Sequence, residues 1–347
     1  MKRRVDHTES KVASAGESQR AGRHKDSNVQ SRSQGLVWVK VGFLVLCVLT
    51  IPFLLQFFTD SVDLSRPSDV GLNYTINFYL EPEAGVRVGV WFTVPKHKWK
   101  ESQGKDLRWY EKALGDGSPV FIYLHGNAGN RASPPHRVGV AHILSNAGYH
   151  VLVLDYRGFG DSTGEPTEAG LTTDTIHLYN WVKARSGNSL VCVWGHSLGT
   201  GVSTNTAVKL LEQGKHFDGI ILEGAFSNVM GADMGKFPHP FTWFYWKFPY
   251  IQYFLFNPLK NNIWIFPTHE NLKKIKNPLL ILHAEDDPIA PFAVAQELYR
   301  IAKNAQNSEK RVKLIPFEAS LEYVHNQLYK DHRLPNIIRE FVQSLEA

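Results

Sequence analysis

A serine lies between two glycines where an apolar run meets a helix-like run. Residues 191–200 read VCVWGHSLGT, so Gly195-x-Ser197-x-Gly199 directly follows four apolar residues. At a sharp strand-to-helix turn, the serine is held in a strained backbone conformation that projects its hydroxyl above the sheet, and its neighbours must be small. The pattern therefore predicts a nucleophilic serine at the carboxyl end of a buried strand, with an ordinary glycine turn as the alternative.

Apolar runs typical of strands alternate with runs typical of helices. An early strand pair is predicted at 74–80 and 86–94. Later strands are predicted at 120–124, 150–155, 190–194, 219–222, 279–283 and 312–317, and helices at 138–146, 171–185, 200–212, 293–302 and 335–345. Such alternation builds a mostly parallel sheet with helices on both faces. The predicted fold class is therefore α/β.

The charge of the chain is concentrated at its N-terminus. Residues 1–40 hold nine Lys or Arg and four Asp or Glu, a net charge of +5, which is also the net charge of all 347 residues. The remainder is formally neutral and gives no support to a nucleic-acid-binding face. With only two cysteines, Cys47 and Cys192, a disulfide framework is not expected, and no obligate protein partner is inferred.

An uncharged apolar run follows the basic segment. Residues 41–58 carry no charge, and the run extends back to Leu36 if Lys40 snorkels, which is long enough to cross a bilayer. A buried core helix is the alternative, but the run has no polar stripe. We predict a disordered basic tail at 1–35, a transmembrane signal anchor at 36–58 and a globular domain at 59–347.

The residues flanking this run predict its orientation. Basic residues precede it, and Asp60 and Asp63 follow it, so the tail is expected to be cytoplasmic and the domain lumenal or extracellular. The sequon Asn73-Tyr74-Thr75 lies shortly beyond the run, and glycosylation of Asn73 would agree with this topology. The expectation is a single-pass protein of the endoplasmic reticulum membrane.

A nucleophilic serine requires a base and an orienting carboxylate, in the chain order Ser, acid, His. Residues 278–291, PLLILHAEDDPIAP, place Asp286 and Asp287 just past a strand, at the sheet edge where Ser197 is expected. Adjacent side chains cannot both face the base, so the two compete. For the base, His325 is favoured because it suits a loop over the strand ends, whereas His332 in KDHRLP is typical of a solvated helix lead-in.

An oxyanion hole requires two backbone N–H groups aimed at the developing charge. The N–H of Leu198, directly after the serine, is one candidate. The other is the N–H of Asn127, in the glycine-rich loop that follows the strand predicted at 120–124.

The chain resembles the serine lipases of the α/β-hydrolase superfamily, most closely the membrane-anchored α/β-hydrolase domain-containing protein twelve family. The matching stretches are YLHGNAGNR, DYRGFGDSTGEPTEAGLTTD, WVKARSG, VWGHSLGTGVSTN and LLILHAEDDPIAPF, within residues 74–347. The resemblance implies an α/β-hydrolase fold, no metal or organic cofactor, and cleavage of lysophosphatidylserine and monoacylglycerol. It implies Ser197 as nucleophile, Asp287 as acid and His325 as base. One departure is Glu322, where such proteins usually have glycine.

An insertion at about 224–278 is predicted to form a cap. Thirteen of the thirty residues at 237–266 are Phe, Trp or Tyr, which favours a wall for an acyl chain over a satellite core. The predicted function is a membrane-anchored serine hydrolase whose partners are the bilayer and a lipid with one acyl chain. A catalytically silent binding protein and an acyl-protein thioesterase are the alternatives.

Three residues after the oxyanion loop are candidates for binding an anionic headgroup. They are Arg131, His136 and Arg137, and a solvated basic turn is the alternative explanation for them.

Overall fold

The strands of the computed structural model form one mixed sheet. The structure describes residues 62–127, 129–133, 135–228, 265–308 and 310–346. Within these residues, the strands are β1 (Thr75–Glu83), β2 (Val86–Thr93), β3 (Val120–Leu124), β4 (His150–Asp155), β5 (Val191–His196), β6 (Gly219–Glu223), β7 (Leu279–Ala284) and β8 (Val312–Phe317). They lie in the order β1-β2-β4-β3-β5-β6-β7-β8. The pairs β1–β2 and β2–β4 are antiparallel, and the strands from β4 to β8 pair in parallel.

Helices connect the parallel strands. The described helices are α1 (Trp99–Ser102), α2 (Leu107–Ala113), α3 (His136–Asn146), α4 (Glu168–Lys183), α5 (Leu198–Leu211), α6 (Thr268–Lys274), α7 (Phe292–Gln306) and α8 (Leu334–Glu346). The predicted α/β class is confirmed. Helix α4 begins three residues before its predicted start, because the hydroxyl of Thr167 accepts the N–H of Gly170 at 3.0 Å and caps the helix.

Alternate residues of the central strands face two separate cores. One core contains Ile122 of β3 and Val193 of β5, together with buried residues of α4, α5 and α7. The other contains Phe121 and Trp194 from the same two strands, packed with α3 and α8. Since side chains alternate across a strand, both faces of the sheet are buried. The continuous apolar runs that predicted these strands are thereby explained.

The parallel strands place the loops of interest at one edge of the sheet. β3, β5, β6, β7 and β8 all end there, so the segments that follow them come together whatever their separation in sequence. Ser197 follows β5 and Asp287 follows β7, while His325 lies beyond β8. The candidate catalytic residues therefore lie at this edge of the sheet.

The predicted insertion at about 224–278 is described only at its two ends, residues 224–228 and 265–278. At the second end, Phe266 is buried against Gly201 of α5, and Asn271 Nδ2 donates to Asn205 Oδ1 at 2.5 Å. These contacts fix α6 on α5. The rest of the aromatic run, and the tail and anchor predicted at 1–35 and 36–58, lie outside the described residues.

Within the described part of the chain, no helix is both long and apolar enough to cross a lipid bilayer.

Candidate active site

Ser197 occupies a sharp turn between β5 and α5. Its backbone has φ 53° and ψ −117°, a left-handed conformation that costs a side-chain-bearing residue free energy and persists only where the surroundings impose it. A Cβ on Gly195 would lie 2.3 Å from the Gly199 carbonyl oxygen, and one on Gly199 would lie 2.0 Å from the Leu124 carbonyl oxygen. Both glycines are therefore required sterically.

Asp287, which is buried, and His325, which is partly buried, form a pair beside this turn. His325 Nδ1 lies 2.7 Å from Asp287 Oδ2. The other carboxylate oxygen, Oδ1, accepts the backbone N–H groups of Ile289 and Ala290, each at 2.8 Å. Because a carboxylate only accepts hydrogen bonds, His325 donates from Nδ1. In the neutral ring, Nε2 is then the proton acceptor.

The environment of Asp287 keeps it ionised. Burial alone would raise the pKa of its carboxyl, but the hydrogen bond and charge of His325 outweigh burial and lower that pKa. A charged carboxylate then faces the ring of His325, whose side chain is only 10% exposed. The pair can therefore stabilise a positive charge that develops on the ring.

The structure separates the competing candidates. Asp287 contacts the ring of His325, whereas Asp286 accepts the backbone N–H of Val324, with Oδ1 at 3.1 Å. Asp286 therefore holds the segment directly before His325, which a residue in a solvated turn would not do. The His332 side chain is 90% exposed, as a solvated lead-in to α8 would be.

Backbone contacts place His325 next to Ser197. The N–H of Ser197 donates to the Glu223 carbonyl oxygen at 2.9 Å, and a Cβ on the following Gly224 would lie 2.9 Å from His325 Cε1. The rings of His196 and His325 are also in contact, with centroids 5.1 Å apart. Ser197, His325 and Asp287 therefore converge from three different loops.

The loop after β3 lies directly against Ser197. A Cβ on Gly126 would lie 3.0 Å from Ser197 Cβ. The Gly126 carbonyl oxygen accepts from His125 Nδ1 at 2.7 Å and from Arg137 Nη2 at 3.2 Å. In a trans peptide the N–H points opposite to the preceding carbonyl, so these two bonds aim the N–H of Asn127 away from the Arg137 guanidinium.

The two arginines are buried and do not form a solvated basic turn. Arg131 is fully buried, and its Nη1 lies 2.7 Å from Asp155 Oδ2 and 2.7 Å from Asp161 Oδ1. Arg137 is 1% exposed and donates to the carbonyl oxygens of Gly126 and Asn130. Both side chains hold the fold, since their donors point into the protein.

Sequence reasoning missed Glu223, the last residue of β6. It is 2% exposed, and its Oε2 accepts from Trp194 Nε1 at 2.9 Å. Burial raises the pKa of its carboxyl to about 7, and the nearby charge of Asp287 adds to the rise. The sequence signal for Glu223 was an acidic residue at the end of an otherwise apolar strand, GIILE.

Comparisons with known proteins identify the family of the chain. Residues 119–249 match the family model for the α/β-hydrolase fold. The chain is 44% identical to the lysophosphatidylserine lipase ABHD12 of Rattus norvegicus, over 89% of this chain and 82% of that protein. It is 47% identical to the protein ABHD12B of Homo sapiens, over 81% of this chain and 76% of that protein. The chain belongs to the ABHD12 family.

Membership of the ABHD12 family confirms the resemblance inferred from the sequence and makes the chain an α/β-hydrolase-fold enzyme. Among solved structures, the fold is similar to that of the esterase Pf2001 of Pyrococcus furiosus. The TM-score is 0.59 at 19% identity, over 81% of this chain and 94% of that chain. At this identity the likeness concerns the fold alone.

Glu223 generates a prediction for stability. The pKa of its carboxyl rises from the ordinary 4.5 to about 7 on folding, so the folded protein binds the proton more tightly than the unfolded chain. The folded state is therefore destabilised by ionisation of Glu223 as the pH rises from about 4.5 to above 7. Glu223→Gln removes the ionisation and keeps an oxygen for Trp194. We expect the variant to be more stable than wild type by about 3 kcal/mol at pH 8 and by about 1 kcal/mol or less at pH 5, measured by urea unfolding.

The matched control is Glu297→Gln, on the exposed side of α7. It should show no comparable dependence on pH. A stability difference for Glu223→Gln that is the same at both pH values would contradict the assignment of a raised pKa.

Proposed function

We propose that the chain is a serine hydrolase that cleaves the ester of single-chain lipids through Ser197, His325 and Asp287. The observation that carries the proposal is the 2.7 Å bond between His325 Nδ1 and Asp287 Oδ2, on loops that meet the strained Ser197 at one sheet edge. A binding protein without activity would have no need for an oriented base beside a strained serine.

The reaction follows from these positions. His325 Nε2 takes the proton of Ser197 Oγ as this oxygen attacks the acyl carbon, and Asp287 stabilises the resulting imidazolium. The proton then passes to the leaving alkoxide, which departs as an alcohol and leaves an acyl-serine. Water, deprotonated by His325, attacks the acyl-serine. His325 returns the proton to Ser197 Oγ as the acyl–oxygen bond breaks, and the fatty acid is released.

Two N–H groups are proposed to bind the oxyanion. Leu198 is the first residue of α5, where N–H groups have no acceptor within the helix and the helix dipole favours negative charge. Asn127 follows Gly126, whose carbonyl is held by His125 and Arg137. With this carbonyl clamped, the donor does not need to reorganise as charge develops.

The names of the relatives support a choice of substrate. The rat relative is named a lysophosphatidylserine lipase, and we extend this substrate to the present chain, with monoacylglycerol as a second one. A hydrophobic channel gains about 0.8 kcal/mol per buried methylene. The aromatic density of 237–266 therefore supports a lipid ester with one long acyl chain.

We also propose that residues 36–58 anchor the protein in the endoplasmic reticulum membrane, with residues 1–35 in the cytosol and the catalytic domain in the lumen. The support is the uncharged run at 41–58 with basic residues before it. The exposed position of Asn73 is compatible with modification by a glycan.

Activity is tested by labelling and by product release. The protein should react with a fluorophosphonate probe and release fatty acid from 1-acyl lysophosphatidylserine, with weaker release from monoacylglycerol and little from triacylglycerol. Ser197→Ala should abolish both labelling and release. A folded wild-type protein that refuses the probe would favour the silent binding protein, and cleavage of acyl-protein thioesters without lysolipid hydrolysis would favour the thioesterase.

The roles of acid and base are tested by matched neighbours. His325→Ala should lower kcat by roughly 10³-fold or more, whereas His332→Ala at its exposed position should be nearly silent. Asp287→Asn should be similarly severe because it disturbs the tautomer of His325. Asp286→Asn should be mild because its amide oxygen still accepts the N–H of Val324. The reverse order in either pair would transfer that role to the neighbour.

Topology is tested through Asn73. The wild-type chain expressed in mammalian cells should carry a glycan there. Endoglycosidase treatment and Asn73→Gln should each increase its gel mobility by the same amount. An unglycosylated chain whose catalytic domain is digested by protease outside sealed microsomes would reverse the proposed orientation.

A further inference from the structure

His136 is a buried residue whose two ring nitrogens form no hydrogen bond with the described residues. It is the first residue of α3 and is 4% exposed. Neither Nδ1 nor Nε2 has a hydrogen-bond partner among the described residues. Leaving a buried polar group unsatisfied costs about 1–3 kcal/mol, so such a group calls for a ligand that can bond to it.

Ring contacts connect His136 to the catalytic base. Its ring centroid lies 4.7 Å from that of His196, and His196 lies 5.1 Å from His325. His196 directly precedes Ser197, and its Nε2 lies 3.0 Å from the backbone oxygen of His325. Three imidazoles therefore form a row from the reacting atoms to the start of α3.

Of the three residues considered for headgroup recognition, His136 differs from the two arginines because neither of its ring nitrogens hydrogen-bonds to a described residue. Arg131 is committed to Asp155 and Asp161, and Arg137 to the oxyanion loop. Burial and the adjacent Arg137 charge lower the pKa of His136 to about 3, so its ring is neutral. A neutral imidazole offers one donor and one acceptor, and a hydroxyl group offers the same pair.

We propose that His136 is a substrate-binding residue that hydrogen-bonds the glycerol portion of the lipid next to the scissile ester. The inference rests on the proposed function and adds a specificity determinant to it. Lysophosphatidylserine and monoacylglycerol share this glycerol, with a free hydroxyl a few bonds from the ester. A simple aryl ester lacks the hydroxyl and has nothing for His136 to bind.

His136→Phe tests the proposal because it keeps an aromatic ring against His196 and removes both polar atoms. We expect kcat/KM for 1-oleoyl lysophosphatidylserine and for 1-oleoylglycerol to fall roughly tenfold or more, the loss of about 1.4 kcal/mol of binding. Hydrolysis of p-nitrophenyl butyrate should stay unchanged. The melting temperature should stay equal or rise, since a buried unsatisfied group has been removed.

Two further variants complete the experiment. His142→Phe, on the same helix and half-buried, should leave all three substrates unaffected. His136→Gln retains a donor and an acceptor and should recover part of the lipid activity, which also covers the case in which His136→Phe does not fold.

Several results would overturn the proposal. An equal loss on all three substrates would assign His136 a structural role, and no loss on any would exclude it from binding. A loss confined to lysophosphatidylserine would place the contact at the phosphoserine headgroup instead of the glycerol. A wild-type protein that hydrolyses none of the three would refute the proposed function and this inference with it.

Discussion

The site depends on the close approach of two backbones, where the first turn of α5 packs on the end of β3. A Cβ on Gly199 would lie 2.0 Å from the Leu124 carbonyl oxygen, so only glycine permits the contact. It brings the N-terminus of α5 and the loop at 125–127 to the same point, and both proposed oxyanion donors belong to these segments. The left-handed conformation of Ser197 is the local cost of this packing, since the chain must reverse within one residue.

The two carboxylates after β7 contact different parts of the segment that carries His325. Asp287 uses one oxygen to accept two backbone N–H groups of its own loop and the other to accept from the ring. The carboxylate is thereby fixed by its own loop while it contacts the ring of His325. Asp286 acts on the backbone instead, through the N–H of Val324. The ring of His325 and the backbone of the preceding residue, Val324, are thus held by two adjacent aspartates.

The sequence was sufficient for the features that depend on local pattern. The strands at 120–124, 150–155 and 312–317 have their predicted bounds, because a strand buried on both faces leaves a continuous apolar run. The edge that gathers Ser197, Asp287 and His325 follows from strand direction alone. The residue pattern alone left Asp286 and Asp287 in competition, because two adjacent carboxylates differ only in the direction of their side chains. The resemblance implied Asp287, and in the structure Asp287 is the one that contacts the ring of His325.

Contacts between residues that are far apart in the sequence could not be predicted from the sequence. Arg131 reads as a surface residue in a polar loop, yet its partners Asp155 and Asp161 lie 24 and 30 positions away. Arg137 was misjudged for the same reason, since its acceptors are backbone carbonyls that no residue type reveals. The raised pKa of Glu223 depends on burial and on Asp287, 64 positions further along the chain. Each of these properties arises from folding and has no local signature.

Glu322 departs from the pattern that the resemblance predicts, and the fold accommodates it. The resemblance expects glycine at this position, and Glu322 adopts φ 53° and ψ 37°, a left-handed conformation open to glycine without strain and to other residues at about 1 kcal/mol. Its side chain is exposed, so the substitution adds no collision. Val324, two residues later, also has a positive φ of 45°, and its N–H is held by Asp286. The loop therefore keeps the path that delivers His325 to Asp287, and the glutamate affects stability more than the geometry of the site.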